Sequence, residues 1–199
     1  MELYEGLLTR RSVRSFKPDA VPQEQLERIA EAGLYAASGM GRQAAKIVVI
    51  TDRKLRDRLM HMNAAVMGQE GADPFYGAPA VLLVLADKKV PTAVYDGSLV
   101  MGNLMLAAHA LGLGSCWIHR AKEEFESEEG KAILRDLGIE GDWEGIGHCV
   151  IGYPAEPPKA PAARRPGRIV RAQKQQHQKS TQKGAAAGPR SGGAAAPWL

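Results

Sequence analysis

Apolar positions change their period several times along the chain, and each change marks an element. Leu3, Leu7 and Leu8 share one side of a short helix expected over residues 2–10. Leu26, Ile29, Ala30, Gly33 and Ala37 then recur at helical spacing, behind Pro22, which suits a first helical turn. "SGMGRQAA" (38–45) reads as a loop, and the β-branched run "KIVVIT" (46–51) reads as a strand. A third helix follows in "DRKLRDRLMHMNAAVMG", with Leu55, Leu59, Met62 and Val66 expected inward. "GADPFYGAP" is a loop and "AVLLVLAD" a buried strand. The stretch 95–114 is apolar nearly all round and rich in small residues, so its helix should be buried on every side, by its own domain or by a partner subunit. "SCWIHR" is a third strand. Ser127 can cap a helix that stops at Gly138, and "GHCVIGYP" (147–154) is a fourth strand.

Composition changes this picture only at the end of the chain. Residues 171–199 are dominated by Gln, Lys, Ala and Gly and end in Pro197-Trp198-Leu199, with five positive charges and no acid. Such a segment buries too little apolar surface to offset its ordering entropy, so a basic, low-complexity, disordered tail is expected there. Taking its five charges from the chain's +4 leaves residues 1–170 at −1. A near-neutral body argues against nucleic acid as its partner. The N-terminus lacks an apolar signal core, and the longest apolar strand run is too short to span a bilayer. Two cysteines are too few for a disulfide scaffold, and the expectation is a soluble, cytoplasmic protein with one domain over 1–170.

Candidate chemistry is sparse. Arg10, Arg11 and Arg14 around Ser12 could clamp a phosphate through charge-assisted bonds, or could be a solvated turn. Lys159, Arg164, Arg165 and Arg168 form a second basic group that could grip the same anion or belong to a linker. Cys116 and His119, and the neighbours His148 and Cys149, point apart in strands, which disfavours zinc. His61 and His109 read as satisfied helix residues. No nucleophile and base can be paired from spacing, and no Gly-rich dinucleotide or phosphate loop is present, so a cofactor would carry any hard chemistry.

"RRSVRSFKPDAVPQEQLERIAEAGLYAASGMGRQ" resembles the opening of nitroreductase-family flavoproteins. "FYGAPAVLLVLAD", "DGSLVMGNLMLAAHALGLGSCWI" and "GHCVIGYP", followed by "RRPGRIV", continue the resemblance in the same order over roughly residues 3–170. It implies an α+β fold around a central mixed sheet and an intertwined homodimer with FMN at the subunit interface. The apolar helix would be the dimer core. Arg10, Ser12 and Arg14 would hold the FMN phosphate and ribityl chain, with Arg11 beside them and Arg164 or Arg165 completing the clamp. Ala37, Ser38 and Gly39 would come from the other subunit and lie against the ring, with Gln43 near the flavin. Asn63 would bond the pyrimidine edge, and Ile118, His119 and Arg120 would line the ring through backbone groups. Many members carry Asn-x-Gln-Pro-Trp after the serine loop; here Gly41-Arg42-Gln43-Ala44-Ala45 lacks the aromatic. Many also exchange a C-terminal arm, whereas Ile169-Val170 is the only strand-like stretch before the tail.

The activity implied is ping-pong hydride transfer from NADH or NADPH, through flavin N5, to a nitroaromatic, quinone or similar small acceptor. Two alternatives are a flavin-binding or flavin-processing protein without nicotinamide turnover, and a domain tethered to an acidic surface by its tail.

Overall fold

A computed structural model of the chain describes residues 2–172; the expectation for the tail therefore falls, from residue 173 on, outside the described residues. The chain divides into two compact units, Met1–Ala162 and Ala163–Leu199.

In the first unit the elements are α1 (Leu3–Thr9), α2 (Gln23–Leu34), β1 (Ala45–Ile50), α3 (Arg53–Val66), β2 (Ala80–Asp87), α4 (Ala93–Ala110), β3 (Gly114–Ile118), α5 (Ala121–Glu126), α6 (Glu128–Asp136) and β4 (Trp143–Gly152). The four strands form one sheet in the order β1-β2-β4-β3. All three pairings are antiparallel, so the four-stranded sheet is antiparallel where a mixed one is expected; an isolated parallel bridge joins Ser12 to Ser115 of β3.

The sheet separates two apolar layers. Leu82, Val84, Cys149 and Ile151 pack with α2 and α4 on one face. Val81, Leu83, Leu85 and Val150 pack on the other with Leu59, Phe125, Ile133 and Leu134 of α3, α5 and α6. Coverage of both faces explains why β2 reads as an unbroken apolar run rather than an alternating one. Ser127 caps α6 by accepting from the Gly130 amide, and Gly138 ends that helix in the left-handed region, as the pattern predicts.

Four expectations shift. Leu3, Leu7 and Leu8 of α1 are exposed, and Gly6 is the residue that helix buries. On α3 the inward face is Arg56, Leu59, Asn63 and Ala64, while Val66 is exposed. The face turns because Arg56 and Asn63 find buried polar partners that a hydrophobic pattern cannot register. β4 begins earlier than the apolar run suggests, and α5 is an additional short helix between β3 and α6. On α4 the domain itself covers one side: Val100, Met101, Leu104 and Ala108 are buried, whereas Tyr95 and Leu99 are 73% and 51% exposed.

Two glycines of β4 set how closely the β3–α5 turn can approach. A Cβ at Gly145 would lie 2.2 Å from the Ala121 carbonyl oxygen, and one at Gly147 3.0 Å from that of Ile118. Backbone cannot swing aside like a side chain, so Gly145→Ala should cost about 1–3 kcal/mol by overpacking. Chemical denaturation checks this, with the midpoint falling and the slope unchanged.

In the second unit the described residues turn at Pro166-Gly167, with Gly167 at φ +72°. No helix among the described residues is long and apolar enough to cross a membrane.

Candidate functional site

Two groups of the expected residues gather along β3. The first lies at its start. The Val13 amide donates to the Ser115 carbonyl at 2.9 Å, which lays residues 12–13 along the strand. An isolated bridge pairs Ser12 with Ser115, which puts Ser12 beside the Cys116 thiol, and the charges of Arg10 and Arg14 act on that thiol. Burial pushes that thiol up, and Arg14, Ser12 and Arg10 oppose it. His109, at the end of α4, bonds Thr9 at 2.9 Å; its pKa is lowered by burial first, then by Arg10 and Arg11. Among the described residues none of Arg10, Arg11 and Arg14 forms an ion pair with a carboxylate. Arg11 donates to the Leu8 and Arg10 carbonyls and so braces the C-terminus of α1.

The chain after Arg14 runs beside the end of the sheet. The Lys17 amide donates to Tyr153 and the Ala155 amide to Ser15, so the segment leaving β4 pairs with the segment that follows the arginines. Arg164 and Arg165 themselves belong to the second unit, where both are exposed.

The second group lies at the end of β3. Ile118 is buried, His119 is exposed, and Arg120 adopts φ +80°, in the left-handed region. Asn63 of α3 is wholly buried beneath them. Its amide nitrogen donates to the His119 carbonyl at 2.7 Å and to Glu124, and its carbonyl accepts from Arg120 Nε at 3.0 Å. Both ends of the Asn63 amide are thus engaged inside the protein, holding the turn that follows β3.

The remaining group, Ala37, Ser38, Gly39 and Gln43, sits in the loop that leads into β1. The Gly39 amide donates to Asp96 Oδ1 at 3.0 Å, and Thr92 donates to the other oxygen of that carboxylate. The Gln43 amide donates to Ser38 Oγ at 3.2 Å, with Gln43 at φ +50°. A side chain at residue 39 would strike Thr92, so the glycine is needed for the loop to dock on α4. β1 and β3 are the two edges of the sheet, separated by three strand spacings, or about 14 Å. One chain therefore holds this loop and the β3 groups at opposite edges.

A model of the nitroreductase family matches residues 7–153. The chain belongs to the nitroreductase family. The NADH dehydrogenase of Thermus thermophilus is 38% identical to this nitroreductase-family chain over 187 residues, spanning 75% of this chain and 85% of its own. The FMN reductase (NAD(P)H) of Bacillus subtilis is 26% identical over 177 residues, spanning 78% and 67%. Among solved structures, a nitroreductase with bound FMN from Bacteroides fragilis superposes with a TM-score of 0.77 at 26% identity, covering 87% of this chain and all of that one. The fold is the nitroreductase fold, and the family is one of oxidoreductases.

Four residues bonded to the candidate groups, directly or through one another, have roles that a sequence reading does not supply. Asp96 is buried and anchors the serine loop; Glu124 and His148 are buried and bonded to each other; Thr92 completes the Asp96 carboxylate. For Asp96, Glu124 and His148 the signal is an acid or histidine within an apolar surrounding; Thr92 carries none. His148 and Cys149 do face opposite sides of the sheet, as the pleat requires: His148 contacts Phe75 and Phe125, whereas Cys149 packs in the α2–α4 layer.

Proposed function

We propose that this chain is an FMN-dependent NAD(P)H oxidoreductase that reduces nitroaromatics, quinones or similar small acceptors in a ping-pong cycle. The observation that carries the reading is the group of three arginines around Ser12, free of carboxylate partners among the described residues, at the start of β3. Guanidinium forks and a hydroxyl are a donor set suited to a phosphate monoester. Arg10, Ser12 and Arg14 would hold the FMN phosphate, and Ile118, His119 and Arg120 would offer backbone groups to the ring. Bound FMN would supply two-electron hydride chemistry, accepting from the nicotinamide and giving to the second substrate.

The chain's own residues orient and polarise. The left-handed turn at Arg120 aims the backbone after β3, and the positive groups near β3 favour a cofactor that gains negative charge on reduction. A homodimer is part of this reading, and the distance between the sheet edges supports it. A second copy would bring its Ala37, Ser38, Gly39 and Gln43 to the β3 edge of the first, and would cover Tyr95 and Leu99 on α4.

Purified protein should be yellow or take up FMN, and NADH or NADPH added without oxygen should bleach the flavin band. Protein that takes up no FMN would overturn the reading. FMN uptake without bleaching by either nicotinamide would instead favour a flavin-binding protein without nicotinamide turnover.

A further inference from the structure

We infer that the buried pair Glu124–His148, acting through Asn63, is a positioning device that holds the Ile118–Arg120 turn toward the flavin; this rests on the reading that the turn meets the flavin ring. Glu124, His148 and Asn63 are 1%, 0% and 0% exposed. They come from three elements, α5, β4 and α3, and form one chain of bonds. His148 Nε2 lies 3.0 Å from Glu124 Oε2, the other Glu124 oxygen accepts from Asn63 Nδ2, and the same nitrogen donates to the His119 carbonyl.

The neighbours leave no freedom in that chain. Asn63 meets two acceptors at one end and the Arg120 guanidinium at the other, so its amide has one satisfying orientation. Glu124 accepts at both oxygens when it is ionised, which requires the hydrogen of His148 to be on Nε2. His148 is held in place by Phe75 and Phe125, with ring centroids 5.1 and 6.3 Å away. Among the described residues its Nδ1 has no hydrogen-bond partner, so the ring is bonded toward Glu124.

Stability alone is a poor account of three such groups. A buried ionic or polar cluster gains little over apolar residues of the same volume. Here every bond leads to one place. The chain ends on the His119 carbonyl and the Arg120 side chain, and Arg120 occupies a backbone region that non-glycine residues rarely adopt. Gly145 and Gly147 of β4 let the strand lie close against the backbone of Ile118 and Ala121 in the same region. The cluster therefore holds a strained turn, and the turn is what the proposed flavin would meet.

The test uses His148→Phe, which fills the space between Phe75 and Phe125 without a donor, and His148→Gln, which restores an N–H toward Glu124. In FMN-free protein, His148→Phe should speed backbone hydrogen exchange at residues 118–121. It should raise the FMN dissociation constant about tenfold or more and shift the flavin midpoint potential. His148→Gln should return all three toward wild type. Should His148→Phe not fold, Glu124→Gln carries the same test and is expected to weaken FMN binding and shift the potential. A lowered melting temperature with unchanged FMN affinity and potential would overturn the inference and leave the flavin reading standing. Wild-type protein that binds no FMN would overturn both.

Discussion

Replacing Arg14 with alanine is expected to weaken FMN binding by about 1.5–3 kcal/mol, roughly ten- to 150-fold in the dissociation constant. Arg14 is exposed and forms no ion pair among the described residues, so the folded protein without ligand should hardly register the change. The loss falls on one charge-assisted bond to a phosphate. Riboflavin, which has no phosphate, should therefore bind the wild type and the variant equally. Fluorescence titration with both flavins checks this. An unchanged FMN affinity would remove Arg14 from the proposed clamp, and an equal loss for riboflavin would move its contact to the ring or the ribityl chain. Turnover at saturating FMN should stay close to wild type, because the arginines hold the far end of the cofactor.

The second large effect is on stability. Leu104→Ala should destabilise the fold by about 2–5 kcal/mol. Leu104 is fully buried on α4, in the layer shared with α2 and the sheet. A Cβ built at Gly33 would lie 2.5 Å from its Cδ2, so α2 approaches until the leucine fills the gap that the glycine leaves. Truncation would open a cavity between two helices and β1 that neighbouring backbone cannot close. Urea unfolding of the FMN-free protein measures the loss, and Leu99→Ala on the exposed side of the same helix serves as the comparison. In isolated subunits Leu99→Ala should cost little; in the proposed homodimer it should lower the assembly's affinity.

Much of the fold is legible in the order of the residues, because periodicity reports which positions face an apolar layer. The run from Ala80 to Ala86 announces a central strand covered on both faces, and Ser127 with Gly138 marks both ends of α6. The resemblance carried by the segment around Ser12 and the later motifs leads to the family that the match over 7–153 establishes. What periodicity misreads is the face of α3. Arg56 donates to the Ala78 carbonyl and pairs with Asp57 and Asp73, and Asn63 bonds His119, Glu124 and Arg120. Apart from Asp57, these partners are remote in the chain, and no local pattern records them.

The candidate site divides in the same way. That Arg10, Arg11, Ser12 and Arg14 can grip an anion follows from residue type and spacing, since guanidinium and hydroxyl chemistry is intrinsic to those side chains. Their place beside β3 and the left-handed turn at Arg120 are decided by the sheet, as is the separation of the Ser38 loop on the opposite edge. So is the Glu124–His148 pair, whose members stand 24 residues apart and meet only because α5 folds back onto β4. Residue chemistry is carried by the sequence alone; distance and burial come from the order in which the strands pair, and that order exists only in the folded chain.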